Sequence, residues 1–219
     1  MPGPGPGPGP GLVEEAVDLG DGRPPLRITR PASSEALIDE DAFGEDEYLP
    51  YWAELWPSAI VLARAVARED LRGRRVLEVG CGLALPALAA ARAGAAPVVA
   101  TDWAPDAVAA AAANAAAAGL DVRTAVADWR DPAPLLEARP FDLVLAADVL
   151  YEARAVAPLL ALLDALATPR VLLADPSRAT AEPFLEAVAA GGRWAVTTTA
   201  DPARPMVRLH ELRAAGPRD

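Results

Sequence analysis

The chain has 219 residues, 53% of them hydrophobic, and a formal net charge of −11. That length fits one full-sized domain with a sizeable core. The negative field repels phosphate backbones, which argues against nucleic acid as a partner and favours a cationic substrate. A single cysteine and a single histidine exclude an internal disulfide framework and argue against a Cys/His metal cluster, so no metal site is expected. All 20 basic residues are arginine, and neither lysine nor glutamine occurs. Together with the abundant Ala, Pro and Gly this reads as the codon bias of a GC-rich genome, and alanine content is discounted as evidence of function.

Residues 1–11, "MPGPGPGPGPG", have nothing to bury and read as a disordered Pro/Gly tail without the features of a signal peptide. Leu12–Leu19 and Pro25–Arg30 alternate around the turn "GDGRP" and predict a β-hairpin. "LIDEDAFGEDEYLP", Leu37–Pro50, gathers acids and is either a solvated loop or an acidic lid near a substrate entrance. These parts form an N-terminal region, 12–50, ahead of a main domain at 51–219. Pro57 opens a helix in "WPSAIVLARAVARED". Branched-residue runs follow at Val76–Val79, Val98–Thr101, Val122–Val126, Phe141–Ala146 and Val171–Ala174. Helical segments at Pro86–Ala93, Pro105–Ala118, Ala153–Leu166 and Thr180–Ala190 separate the major runs, and Asp131–Ala138 is a shorter turn-rich piece. Such alternation predicts a parallel sheet covered on both faces. "RWAVTTTA" and "MVRLHELR" are joined by too few residues for a crossover and must be antiparallel. Apolar runs stop well short of a membrane span, and a cytoplasmic location is the default expectation.

The first strand of this series ends in Glu78-Val79-Gly80-Cys81-Gly82. A phosphate-binding P-loop needs a lysine, which the chain lacks. A dinucleotide fingerprint needs glycine where Leu85 stands, and an acid just ahead of the first glycine opposes a pyrophosphate. Acidic-x-Gly-x-Gly instead suits a ligand that approaches bare backbone and carries no phosphate. S-adenosylmethionine, with its cationic sulfonium, fits. Asp102 ends the next strand, placed to accept hydrogen bonds from two ribose hydroxyls.

From Tyr51 to the C terminus the sequence resembles the seven-β-strand S-adenosylmethionine-dependent methyltransferases. It is similar in particular to the group containing the lysine methyltransferase of the electron-transfer flavoprotein β-subunit and its bacterial relatives. The residues behind this likeness are "LPYWAELWPSA", "LEVGCGLALPAL", "ATDW", "ADWR" and "AADVLYE". The last holds an acid-x-x-Tyr box, Asp148 to Tyr151, where that group has its DxxY signature. Ala84 departs from the pattern, since many members have a third glycine there. The resemblance implies a Rossmann-like class I α/β fold: a seven-stranded, mostly parallel sheet with an antiparallel last strand. It also implies methyl transfer to a protein lysine, or alternatively to a small amine; a catalytically silent cofactor-binding module is the remaining reading. Oligomeric state is not legible.

Several side chains are candidates. Trp56 precedes a proline, which pushes it out of helical angles; it contacts cofactor if the resemblance holds, and otherwise anchors the core. Glu78, Gly80, Cys81 and Gly82 form the cofactor turn, with Cys81 read as a small turn residue and not a nucleophile. Asp128 and Trp129 follow the third strand of the series, where an acid can accept from the adenine amino group and an indole can lie against the base. Ala147 can offer only backbone. Asp148 and Tyr151 face the reacting methyl group if the resemblance holds; otherwise they are a helix cap and a core tyrosine. Arg178 is a candidate substrate contact, and Asn114, the only asparagine, is read as either a site residue or a bystander.

Overall fold

The computed structural model describes residues 11–34, 37 and 50–215. The expected tail, Gly11 apart, and most of the acidic segment at 37–50 lie outside the described residues. The hairpin forms as expected: β1 (Leu12–Val17) pairs antiparallel with β2 (Leu26–Pro31). Next come α1 (Pro57–Val66), β3 (Val76–Val79), α2 (Leu85–Arg92), β4 (Val98–Asp102), α3 (Pro105–Ala118) and β5 (Arg123–Val126). The short α4 (Ala133–Glu137) follows, replacing the turn-rich piece, then β6 (Leu143–Ala147), α5 (Val156–Leu166), β7 (Arg170–Asp175), α6 (Ala181–Ala190), β8 (Trp194–Ala200) and β9 (Arg208–Ala214).

Proline marks the first turn of α1, α2 and α3, where a missing N–H costs nothing, and Gly119 closes α3 in a left-handed cap. Within α3 the buried positions are Ala107, Ala111, Asn114 and Ala115, one helical stripe.

The main sheet runs β5-β4-β3-β6-β7-β9-β8. β3 is parallel to both β4 and β6, while β9 is antiparallel to its two neighbours β7 and β8. Only β9 therefore runs against the rest, wedged one place in from the edge. Alternate residues of each strand feed two cores. Val76, Val98 and Leu143 meet α1, α2, α3 and the hairpin, whereas Leu77, Val144 and Leu173 meet α5 and α6. Val17, Leu19, Leu26 and Ile28 of the hairpin belong to the first core, so the hairpin packs with the main sheet. The connections reverse direction at β3, which opens a crevice beyond the carboxyl ends of β3, β4 and β6.

Candidate active site

A cavity of about 320 Å³ occupies that crevice. Of the residues singled out from the sequence, Trp56, Glu78, Gly80, Cys81, Gly82, Asp102, Trp129, Ala147, Asp148 and Tyr151 all line it, as does Arg178. Asp128 does not. Its carboxylate is held by the Arg130 side chain at 2.7 Å, and that guanidinium, together with the Arg130 backbone N–H, keeps it below the usual carboxylate range.

The turn after β3 is fastened from two sides. The Cys81 N–H donates to the Thr101 carbonyl at 2.9 Å, and the Gly82 N–H donates to Oδ2 of Asp102 at 2.9 Å. The other Asp102 oxygen accepts from the Ala104 N–H at 3.0 Å. From the preceding strand, Oε2 of Glu78 accepts from the Ala87 N–H at 2.8 Å and caps the first turn of α2. Both glycines have positive φ, +62° for Gly80 and +48° for Gly82. A β-carbon on Gly80 would stand 2.8 Å from Val149 Cγ1, and one on Gly82 would stand 3.3 Å from the Trp52 carbonyl oxygen. The close approach expected of a ligand is thus made, on the side-chain side, by the protein itself. Ala84 also sits in the left-handed region, φ 61°, which for alanine carries roughly 1–2 kcal/mol of strain.

Burial governs the electrostatics here. It pushes Glu78 well above the carboxylate range, with the Ala87 N–H offsetting part of the rise and Asp102 adding to it. Asp102 is raised by burial against the pull of backbone N–H groups. The Cys81 thiol is raised by burial and by both carboxylates, consistent with an inert turn residue.

On the far wall, Asp148 has φ 57° and its N–H donates to the Ala174 carbonyl at 2.8 Å. Its Oδ1 accepts from Nε of Arg178 at 2.8 Å, and the Ser58 hydroxyl lies 3.4 Å from Oδ2. The Tyr151 ring stands 5.2 Å from that of Tyr51, and the Tyr51 carbonyl accepts from the Trp56 indole at 2.8 Å. Tyr151 also hydrogen-bonds the Trp103 side chain; burial, Glu152 and Asp102 raise its hydroxyl pKa. Sequence reasoning missed Tyr51 and Trp103 as parts of the wall, and Ser58 as a buried partner behind Asp148. Each lies inside or beside a quoted motif, but only the fold brings the rings from β4, β6 and the 51–56 segment together. Asn114 is no bystander: fully buried, it accepts from the Thr29 N–H at 2.9 Å and donates to the carbonyls of Thr29 and Leu83 at 3.2 and 3.3 Å.

The lining contains Glu54, Glu78, Asp102, Asp148 and Glu152 but, among the described residues, one basic side chain, Arg178. Such a site favours a cation and disfavours phosphate. Among the described residues no group of three His, Cys, Asp or Glu side chains is arranged to hold a metal ion, and no helix is long and apolar enough to cross a membrane.

A strand order with one inserted antiparallel strand and a glycine turn at its switch point defines the class I, Rossmann-like methyltransferase fold. The chain belongs to the lysine methyltransferase family, whose model matches residues 44–190. It is 35% identical over 138 residues to the electron transfer flavoprotein beta subunit lysine methyltransferase of Danio rerio, covering 61% of this chain and 52% of that one. It is also 35% identical over 108 residues to the histone-arginine methyltransferase METTL23 of Xenopus laevis, covering 47% and 46%. The chain thus spans about half the length of these curated relatives. Among solved structures it is similar to the O-methyltransferase TomG from Streptomyces achromogenes in complex with SAM, with a TM-score of 0.56 and 21% identity over 76% of this chain and 84% of that chain.

Proposed function

We propose that this protein transfers a methyl group from S-adenosylmethionine to the side-chain amine of a protein lysine. The observation that carries this reading is the acid-rich cavity at the switch point, walled by tyrosines and closed by a fastened glycine turn. The donor set suits the cofactor: acids for a sulfonium, and no phosphate-binding turn. S-adenosylmethionine, when bound, supplies an electrophilic methyl group. The chain's residues supply position and exclusion of water.

Asp102 spends one lone pair of each oxygen on the turn and keeps the others for the ribose hydroxyls. Trp129, packed against Gly80, offers its face to the adenine. Asp148 and Tyr151 receive the acceptor. An ammonium with a reference pKa of about 10.4 must lose a proton before it can attack, and desolvation between Tyr51 and Tyr151 lowers that pKa. Asp148 orients the amine; an ordinary carboxylate is too weak a base to deprotonate it. The net charge of −11 supports a basic protein substrate and opposes nucleic acid.

Titration calorimetry tests the cofactor step. Wild type should bind S-adenosylmethionine, and Asp102→Ala should weaken binding by about 1–3 kcal/mol. A folded wild-type protein that gives no binding heat ends the methyltransferase reading. Incubating tritiated cofactor with cell lysate then separates a labelled protein band from a labelled small amine.

A further inference from the structure

The carboxylate expected to receive the acceptor amine already holds a cation. Asp148 is 5% exposed as a side chain, and its one short side-chain bond is to Nε of Arg178, which is itself 35% exposed and lines the cavity. The Arg178 N–H donates to Oδ1 of Asp175 at 2.7 Å, which fixes where the side chain starts. Oδ2 of Asp175, also buried, has no hydrogen-bond partner among the described residues. The guanidinium thus serves Asp148, while the backbone of the same residue serves Asp175.

Chemically, Arg178 presents a nitrogen cation on an unbranched stem to a buried carboxylate from the cavity side. A lysine side chain entering the cavity would present the same thing. A third-exposed arginine is readily rehydrated when it swings outward, whereas the buried Asp148 carboxylate it leaves needs another cation at once, and the incoming amine supplies it. We propose that Arg178 is a stand-in for the acceptor: it holds the place on Asp148 that the substrate amine takes, and swings aside when the amine enters. It keeps Asp148 paired and oriented between turnovers and makes entry an exchange of cations, which selects against uncharged side chains. This inference rests on the amine-methyltransferase reading.

A chain with no lysine permits a test that needs no known substrate. Arg178→Lys carries one side-chain amine, placed one bond further along the stem than the arginine Nε and within reach of Asp148. Incubated with S-adenosylmethionine, it should gain methyl mass on the peptide containing residue 178. In that step the amine nitrogen forms a bond to the methyl carbon as the carbon–sulfur bond breaks. The sulfonium becomes a thioether, and the ammonium proton passes to water. Adding Asp148→Asn should cut this labelling by about tenfold or more, because the amine loses its charged partner. Independently, Arg178→Gln loaded with S-adenosylhomocysteine should bind butylammonium, the bare lysine side chain, roughly tenfold more tightly than wild type does. With cofactor bound, an unmethylated Lys variant overturns the inference, and so does an unchanged butylammonium affinity. Failure of wild type to bind cofactor instead removes the reading beneath it and the inference with it.

Discussion

Glu78 illustrates what one buried acid does in this site. It is fully buried on β3, caps α2 through Ala87 and faces Asp102 across the glycine turn. Its carboxyl prefers to be protonated in the folded state, chiefly because of burial. The folded protein then binds more protons than the unfolded one, so this group favours folding at low pH. Its contribution is whole below the unfolded value near 4.5 and is lost as pH rises toward the raised folded value. Glu78→Gln keeps an oxygen for the Ala87 N–H and removes the ionisation. In the cofactor-free protein it should flatten the decline of melting temperature above pH 5 and raise that temperature at pH 8. A melting profile with the wild-type slope would show that Glu78 ionises freely in the fold. Asp102 and Asp175 are raised for the same reason and continue the same trend in the variant.

At the scale of elements, the hairpin is tied to the cofactor turn by one side chain. Asn114 of α3 pairs with both backbone groups of Thr29 on β2, as a neighbouring strand would, and also reaches the Leu83 carbonyl. Removing it leaves the half-buried Thr29 backbone groups without this partner and takes one bond from the buried Leu83 carbonyl, where a lost partner costs about 1–3 kcal/mol. Asn114→Ala should therefore lower unfolding stability by roughly 2–3 kcal/mol and weaken cofactor binding through the loosened turn. Urea denaturation and calorimetry on the same sample check both, and a loss below about 0.5 kcal/mol would remove the staple. β9 shows another tie. Its Glu211 meets Arg170 of β7 at 2.5 Å, and Arg170 also meets Glu69 beyond α1 at 2.5 Å. This network neutralises charge on a strand that lies inside the sheet.

For the molecule as a whole, composition sets a test of specificity. A lysine-directed enzyme without lysine has no side chain of its own to modify. Purified wild type with tritiated S-adenosylmethionine should stay unlabelled on its side chains, and any label in a defined mixture should belong to the added substrate. Electrophoresis and peptide mapping read this directly. Label on the protein's own arginines would move the acceptor class from an amine to a guanidine.

Much of this protein is legible in its sequence. Branched runs alternating with proline-started helices determine a parallel α/β sheet, since each pattern satisfies its own backbone hydrogen bonds and buries its own stripe. Glu78-x-Gly80-x-Gly82 with Asp102 twenty residues on determines where the switch point lies, because these residues must end adjacent strands. Strand-end position also located Trp129 and Asp148 near that point, and the resemblance to a known family added Trp56 and Tyr151. Tertiary structure decided the partners. Asp128 and Arg130 satisfy each other outside the cavity, whereas Asp148 is met by an arginine thirty residues on; nothing in spacing distinguishes the two acids. Packing also placed the charged β9 inside the sheet and left the more apolar-looking β8 at its edge. Sequence pattern reports what each segment can bury; which charge finds which partner depends on distances that only the assembled sheet creates.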